Sequence, residues 1–464
     1  MNAAVEAVPV QRWAVRVIKW NWAPLLRGGS LAAAAAALAV GAALGEPQAI
    51  ATAVPGLLVG LALIRVCFRG NQRQFLLTLF LVAFALRLVG AVASHFLLVY
   101  RGTGGFVLMD DRAYDKLGWG LTRVWTGGLP GIRDTDEYLM VNYTYLVAAV
   151  YYLLGHSLLA VKMLNVAFGS LLAVVIFAIG SEILDPRAAR VAALLTAFFP
   201  SLVAWSVINL KDILVVLLTA AAVLFLLRYA RRHGWRSLML ALLACLAIEN
   251  LRQFVFFLLV VLMPVAFLFA DRSNWRRKLL FLVPLVIGVA AITYGTHNER
   301  FGRYLSPKAL TEAEWKRWLE ENKAQTGLDE FGGIKPPKEM DTIYQRSIAY
   351  LPRGVFYVLF GPTPWEARSG SARAVIPEML LWYGTLAAGL AGLIVVFRRS
   401  WRDLVLPLGF AASWIAALAL TEGNTGNIFR HRSQFMPFIF LISAAGLVWL
   451  WRLRQQRVLD EGSA

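Results

Sequence analysis

Long apolar stretches constrain this chain more than any other feature of its sequence. About 20 apolar residues cross the hydrocarbon core of a bilayer, and twelve stretches of roughly that length are present. They lie near residues 28–45, 50–66, 75–99, 159–180, 189–207, 211–228, 236–250, 254–270, 279–294, 376–397, 402–420 and 430–451. Apolar residues make up 59% of the 464-residue chain and charged residues only 16%, against about 25% charged in soluble domains. The sequence predicts an all-α polytopic membrane protein and excludes a soluble enzyme, a fibrous repeat and a disordered chain.

The basic residues predict the orientation of these spans. The formal net charge is +18, and short arginine-rich loops follow alternate spans. These loops lie near residues 65–73, 187–190, 228–236, 272–278, 398–402 and 452–457. Short cytoplasmic loops are enriched in Lys and Arg, so we expect these loops and both termini on the cytoplasmic side. Gln11–Trp22, where basic and aromatic residues alternate, is expected to be an interfacial helix. Anionic lipid is a sufficient partner for the basic excess, and no nucleic acid is expected.

The opposite, outer face then receives two long segments, Arg101–Tyr143 and Gly295–Val375. Asn142–Gly155 and Leu351–Trp365 are apolar but too short to cross, so we expect re-entrant or surface helices. The predicted divisions are 1–27 (cytoplasmic interfacial segment), 28–100 (three spans), 101–158 (outer loop and surface helices), 159–294 (transmembrane core), 295–375 (second outer loop), 376–451 (C-terminal spans) and 452–464 (cytoplasmic tail).

Acidic residues are scarce, and three of them cluster in the first outer segment. Asp110, Asp111 and Asp115 lie within six residues of one another, and a helix there would place Asp110 and Tyr114 on one face. One interpretation is a catalytic carboxylate at the membrane surface, acting as a general base or metal ligand. The other is a solvated loop in which an aspartate caps a helix.

Basic residues also occur in the short outer turns, against the positive-inside trend. Lys211-Asp212 lies in one turn, Arg252 in another, and Arg430 and Arg432 at the entry of the last span. Arginines beside a bilayer on this side indicate a bound anion such as a lipid phosphate. Interfacial anchoring of these side chains, with snorkelling of Lys211, is the alternative.

This arrangement resembles the GT-C superfamily of integral-membrane glycosyltransferases, which use polyprenyl-phosphate-linked sugars. The relatives concerned are the protein O-mannosyltransferases and the lipid A aminoarabinose transferases. They carry an acidic pair, commonly followed by a tyrosine, in the first large outer loop, as Asp110-Asp111 and Tyr114 do here. A second acidic residue usually follows in the next outer loop, where this chain has Asp212.

The resemblance implies an inverting transfer of a hexosyl or pentosyl group from a polyprenyl-phosphate donor. The implied catalytic residues are Asp110, Asp111 and Asp212; the implied donor phosphate ligands are Lys211, Arg252, Arg430 and Arg432; the supporting residues are Tyr114, His431, Arg353 and Trp365. No cofactor is firmly implied, although some members use a divalent cation, Mg²⁺ or Mn²⁺. The acceptor would be a glycan, lipid or protein of the cell envelope, and the enzyme would lie in the bacterial inner membrane with its site facing outside.

Two other function classes remain open from the sequence. A polysaccharide polymerase or ligase of the O-antigen type would depend on Arg252, Arg430 and Arg432 but tolerate the loss of Asp110. A flippase or transporter of lipid-linked sugars would carry charged groups across its spans and would not need the acidic pair.

Overall fold

The fold is described from a computed structural model covering residues 22–129, 142–295, 343–365, 373–422 and 425–461. Every regular element in these ranges is a helix. The helices are α1 (Trp22–Ala43), α2 (Gln48–Cys67), α3 (Gly70–Tyr100), α4 (Met109–Trp125), α5 (Asn142–Leu154), α6 (Leu158–Ile183), α7 (Pro186–Phe198), α8 (Pro200–Trp205), α9 (Asp212–Arg232), α10 (Trp235–Glu249), α11 (Gln253–Ala270), α12 (Trp275–Gly295), α13 (Ile343–Phe360), α14 (Ile376–Thr421), α15 (Thr425–Arg432) and α16 (Met436–Glu461). The predicted all-α polytopic fold is confirmed.

Nine segments in the described ranges are long and apolar enough to cross a membrane, and each coincides with a predicted span. They are Ala23–Ala43, Gln48–Cys67, Gly70–Tyr100, Leu158–Ile183, Asp212–Arg232, Gln253–Ala270, Ile376–Arg398, Trp401–Thr421 and Met436–Val458. The other three predicted spans are also helical. Residues 189–207 form α7 and α8, divided at the extended residue Phe199, while 236–250 forms the 15-residue α10 and 279–294 lies in α12.

The centre of the bundle is α6, because its side chains meet neighbours on every side. Buried residues make up 78% of its most apolar stretch, whereas they make up 11% of that stretch in α1. α2, α3, α7 and α9 surround α6, and α1 packs on the outside of α3. The core of the bundle therefore forms around the helices that lead into and out of the candidate site.

α14 spans 46 residues but folds back on itself, so that its two halves, Ile376–Arg398 and Trp401–Thr421, lie side by side. Trp382 in the first half lies 5.8 Å from the Arg432 guanidinium, and Trp414 in the second donates to the backbone oxygen of His431 at 3.1 Å. Both halves therefore start or end beside α15, so the chain reverses between Arg398 and Trp401. The first half packs closely on α16, where a Cβ on Gly446 would come within 1.9 Å of a backbone oxygen.

Five helices that are not among the nine candidate spans, α4, α5, α8, α13 and α15, lie at the end of the bundle where α9 begins. α4 and α5 pack side by side, since the Tyr114 and Tyr143 ring centroids are 5.2 Å apart and Thr122 Oγ1 donates to Ala148 O at 3.0 Å. The expected surface helix at Asn142–Gly155 is thus the 13-residue α5. We call this end of the bundle the α4 end, and the end that holds Asp403 the Asp403 end.

Some predicted features lie outside the described residues. They are residues 11–21 of the interfacial helix, residues 130–141 of the first outer segment, and residues 296–342 and 366–372 of the second. The element predicted at Leu351–Trp365 is the second half of α13 and the turn after it.

Candidate active site

The centre of the candidate site is Asp212, at the first residue of α9. Its side chain is completely buried. Its Oδ1 accepts from Arg252 Nη2 at 2.8 Å, and its Oδ2 accepts from Arg430 Nε at 3.0 Å and Nη2 at 2.6 Å. A buried carboxylate is tolerated when such charge-assisted bonds replace its hydration. Asp212 thus holds the guanidinium groups of Arg252 and Arg430 at the start of α9.

Arg430 continues this chain of charges to the surface. Its Nη1 donates to Asp110 Oδ2 at 2.5 Å, although the two residues are 320 positions apart in the sequence. The Arg430 side chain is 9% exposed, whereas that of Asp110 is 46% exposed. A carboxylate–guanidinium–carboxylate series therefore runs from buried Asp212 to a carboxylate that an incoming molecule can reach.

Asp111 lies on a different side of α4 from its neighbour, because successive helical residues are about 100° apart. Its buried carboxylate accepts from the backbone N–H groups of Val107 at 2.9 Å and Leu108 at 3.1 Å. Burial raises the pKa of Asp111 above its ordinary value, while these two N–H groups oppose that shift. Asp111 closes the first turn of α4 and so fixes the helix position from which Asp110 extends.

Lys211 is the cation of the site that lacks an anionic partner in the described part of the chain. Its Nζ lies 6.0 Å from the centroid of the Tyr114 ring, and no hydrogen bond or ion pair holds it there. Burial, followed by the charge of Arg252, lowers the pKa of Lys211 to about 8. Lys211, Arg252 and Arg430 together exceed the negative charge of Asp110 and Asp212 by one. The site is therefore suited to a further anion.

A polar network beneath the site sets the turn that carries Lys211 and Asp212. Asn165 Nδ2 donates to Leu210 O at 2.9 Å and to Tyr143 Oη at 2.9 Å. Tyr143 in turn donates to Asn209 Oδ1 at 2.8 Å, and Asn209 Nδ2 donates to Asp111 O at 3.1 Å. Neither Asn165 nor Tyr143 was predicted from the sequence as part of the site. A buried amide within an apolar span was the signal that could have revealed the first, since such groups are rare without a role.

Two further contacts hold α4 in place. The buried Lys162 of α6 donates from Nζ to Gly105 O at 2.7 Å, in the loop before α4. Asp115 accepts from Tyr151 Oη at 2.5 Å and lies 3.1 Å from His156 Nε2. The hydrogen bond to Asp115 raises the pKa of His156. α4 is therefore fixed to α5 and α6 on the sides that do not carry Asp110.

Arg432, predicted as a phosphate ligand, is directed away from this cluster. Its side chain is buried, and its Nε donates to Val358 O at 3.0 Å while its Nη2 donates to Gly361 O. These carbonyls end α13, where the helix dipole favours a cation. His431, between the two arginines in the sequence, is half-buried, with Nδ1 3.8 Å from Glu422 Oε2, and desolvation lowers its pKa.

The remaining predicted residues lie on or beyond α13. The guanidinium carbon of Arg353 is 5.8 Å from the centroid of the Tyr357 ring, and Arg353 is exposed. The Trp365 side chain is 76% exposed, so it is accessible to lipid. Within the described ranges, no group of three or more His, Cys, Asp or Glu side chains could hold a metal ion. A requirement for Mg²⁺ or Mn²⁺ stays a prediction.

One comparison with known proteins bears on this site. Residues 140–294 match the family model described as dolichyl-phosphate-mannose-protein mannosyltransferase. The match includes Lys211, Asp212 and Arg252, and Asp110 and Arg430 lie outside it. No curated protein matches the chain. The family match confirms the resemblance to the GT-C superfamily and supports a membrane glycosyltransferase that uses a polyprenyl-phosphate-linked sugar.

Proposed function

We propose that this glycosyltransferase passes a sugar to a cell-envelope acceptor at the α4 end, with Asp110 as the general base. The observation that carries the proposal is the Asp110–Arg430–Asp212 series beside Lys211, which has no hydrogen-bond or ion-pair partner among the described residues. In this series, the side chain of Arg430 connects the accessible carboxylate of Asp110 to the buried, positively charged surroundings of Asp212. The acceptor would be a glycolipid, an exopolysaccharide or a protein.

Each group then has a defined part in the transfer. The acceptor hydroxyl gives its proton to an Asp110 carboxylate oxygen while its own oxygen attacks the anomeric carbon of the sugar. The bond from that carbon to the phosphate oxygen breaks, and polyprenyl phosphate leaves with the electron pair. Lys211 and Arg252 stabilise the charge that develops on the leaving phosphate. Attack opposite the leaving group inverts the anomeric configuration.

Arg430 also affects Asp110 when no donor is bound. Its guanidinium is shared between Asp110 and Asp212, so one oxygen of Asp110 is occupied by an ion pair. A donor phosphate that accepts one Arg430 N–H competes with Asp110 for it. Binding of the donor would thereby release the base just when an acceptor can be used.

The substitution Asp110→Asn tests the assignment of the base. We expect kcat to fall by about 10³-fold, because an amide cannot take the acceptor proton. The measurement is transfer of radiolabelled sugar from a polyprenyl-phosphate donor by purified protein in lipid vesicles. Asp115→Asn on the same helix is the matched control, since Asp115 contacts Tyr151 and His156 through a single oxygen, which an amide also provides, and transfer should persist.

Two results would redirect the proposal. Near-normal transfer by well-folded Asp110→Asn would contradict it. If Arg252→Gln and Arg430→Gln were then inactive, a polymerase or ligase mechanism would be favoured.

The orientation is a separate part of the proposal. The family match does not bear on it, and the arginine-rich loops at the Asp403 end are its support. Alkaline phosphatase, which is active only outside the cytoplasm, should be inactive when fused after Arg457 and active when inserted after Gly128. The reverse pattern would place the site on the cytoplasmic face and contradict an extracytoplasmic acceptor.

A further inference from the structure

A pocket of about 350 Å³ opens between α1, α3 and α7 at the Asp403 end, the far end of the bundle from the candidate active site. Arg27, from the second turn of α1, and Arg190, from the second turn of α7, both line it. Asn71 and Thr78 of α3 add polar groups, and no acidic side chain is among the lining residues of the described chain. The pocket therefore carries two positive charges with no negative charge in its wall.

The two arginines are held in place but retain free donors. Arg27 Nε donates to Thr78 Oγ1 at 2.7 Å, and its Nη2 donates to Gln74 O at 2.9 Å. Arg190 lies with its guanidinium carbon 5.4 Å from the centroid of the Phe75 ring. Its Nε is buried and has no hydrogen-bond partner among the described residues. A buried guanidinium N–H without an acceptor is costly, so this donor favours an anionic ligand.

The backbone around the pocket favours the same ligand at one helix start. α3 begins at Gly70, directly before the lining residue Asn71. The N-terminal end of a helix carries partial positive charge and unpaired N–H groups, which attract phosphate. The start of α7 adds less, because Asp185 already accepts from the N–H groups of Arg187 and Ala188. The start of α3 beside two guanidinium groups therefore indicates a site for an anion with several oxygen atoms.

The depth of the pocket indicates where this anion comes from. Two membrane-spanning segments start here, at Ala23 and Gly70, so the pocket lies at the boundary between the apolar core and the headgroups of a bilayer. Leu26 and Phe75 give it an apolar side toward the spans. A phospholipid matches such a pocket, because its phosphate can contact the arginines while its acyl chains lie along the apolar helices.

We propose that this pocket binds the phosphate of an anionic phospholipid from the leaflet at the Asp403 end. The site is distinct from the donor site, since it lies at the other end of the bundle and uses none of the same residues. Its occupant stabilises the packing of α1 and α3 against α7. The proposal stands independently of the proposed transfer reaction.

Lipid retention by the full-length protein tests the proposal directly. Protein purified in neutral detergent is titrated with phosphatidylglycerol, with phosphatidylcholine or with inorganic phosphate, and bound lipid is counted by native mass spectrometry. We expect saturable retention of phosphatidylglycerol, and at least about tenfold weaker retention after Arg190→Gln or Arg27→Gln, since a charge-assisted phosphate contact is lost. Arg187→Gln, one turn away on α7 and stacked on Trp451, should retain lipid as the unchanged protein does.

The other outcomes are also decisive. Equal retention by all the variants would overturn the site. Inorganic phosphate displacing the lipid at micromolar concentration would show a site for a small phosphate and overturn the lipid assignment. If Arg190→Gln failed to fold, Arg190→Lys and Arg27→Gln would decide. Arg190→Lys keeps an aliphatic stem against the Phe75 ring, and Arg27→Gln leaves Arg190 intact.

Discussion

The two ends of the bundle each bury an aspartate between two arginines, yet the two clusters differ in what surrounds them. Asp212 at the α4 end and Asp403 at the other end are 0% and 1% exposed. The arginines of Asp212, Arg252 and Arg430, are 13% and 9% exposed. The arginines of Asp403, Arg231 and Arg272, are 26% and 62% exposed.

This difference separates two uses of charge. At the Asp403 end the cations reach water, and Arg231 also bonds to Glu182, so these pairs join the ends of α6 and α9 to the reversal in the middle of α14. At the α4 end the cations are withdrawn from water and one continues to an accessible carboxylate. Burial of positive charge next to an opening to the surface is what distinguishes the candidate active site.

Removing each buried aspartate gives the largest contrast. Asp212→Asn should lower transfer by about 10³-fold, because Arg252 and Arg430 lose the group that orients them toward the donor. Asp403→Asn should lower the melting temperature while leaving the activity of the folded protein within about threefold. Transfer assays on protein that elutes as a single species check both. Equal loss of activity at the two ends would remove the distinction.

Removing one cation from each end should give a smaller difference in activity between the two ends. Lys211→Met should lower kcat/KM for the donor by about 10²-fold, since its charge meets the leaving phosphate. Arg272→Gln is the matched control at the Asp403 end and should change kcat/KM by less than about threefold. Steady-state kinetics with varied donor concentration measure both. A normal kcat/KM in Lys211→Met would show that Lys211 does not bind the donor.

The pH dependence of the reaction gives a smaller effect from the same lysine. Because the pKa of Lys211 is lowered to about 8, kcat/KM for the donor should fall as pH rises above about 8 and Lys211 loses its proton. Lys211→Arg should move this fall to higher pH, since an arginine stays charged. A profile unchanged by Lys211→Arg would assign the titration to another group.

The smallest expected effect concerns the contact between α4 and α5. Asp115 raises the pKa of His156 in the folded protein, so the contact contributes its full stability below 6.5, the ordinary value, and loses it as pH rises through the raised pKa. Thermal unfolding should therefore show a melting temperature that declines across this window, and His156→Gln should flatten the decline. The same slope in both proteins would contradict the assignment.

The sequence predicted the bundle well, because the length and polarity of a span are local properties. The division of residues 189–207 into α7 and α8 was missed although Pro200 signals it, because the residue before a proline is driven to the extended conformation that Phe199 adopts. Asp110 and Asp212 could be singled out as a pair through the resemblance to GT-C enzymes. The network beneath them could not, because Asn165 looks like an ordinary polar residue until its partners are known.

The two arginines of α15 show the same limit most clearly. Arg430 and Arg432 were predicted together as phosphate ligands, yet residues two apart on a helix do not face each other. One therefore reaches Asp212 and the other the end of α13. Which of them faces the site is decided by the rotation of α15 about its axis, and that is set by the two halves of α14.

The 320 residues between Asp110 and Arg430 have a consequence for biosynthesis. The ribosome produces α1 to α12, and with them Asp110, Lys211, Asp212 and Arg252, well before Arg430 leaves the exit tunnel. A chain interrupted between α12 and α15 carries these four residues but lacks the arginine that joins the two carboxylates. If Arg430 is required as proposed, such a fragment is inserted but inactive, and catalytic competence waits for the synthesis of α15.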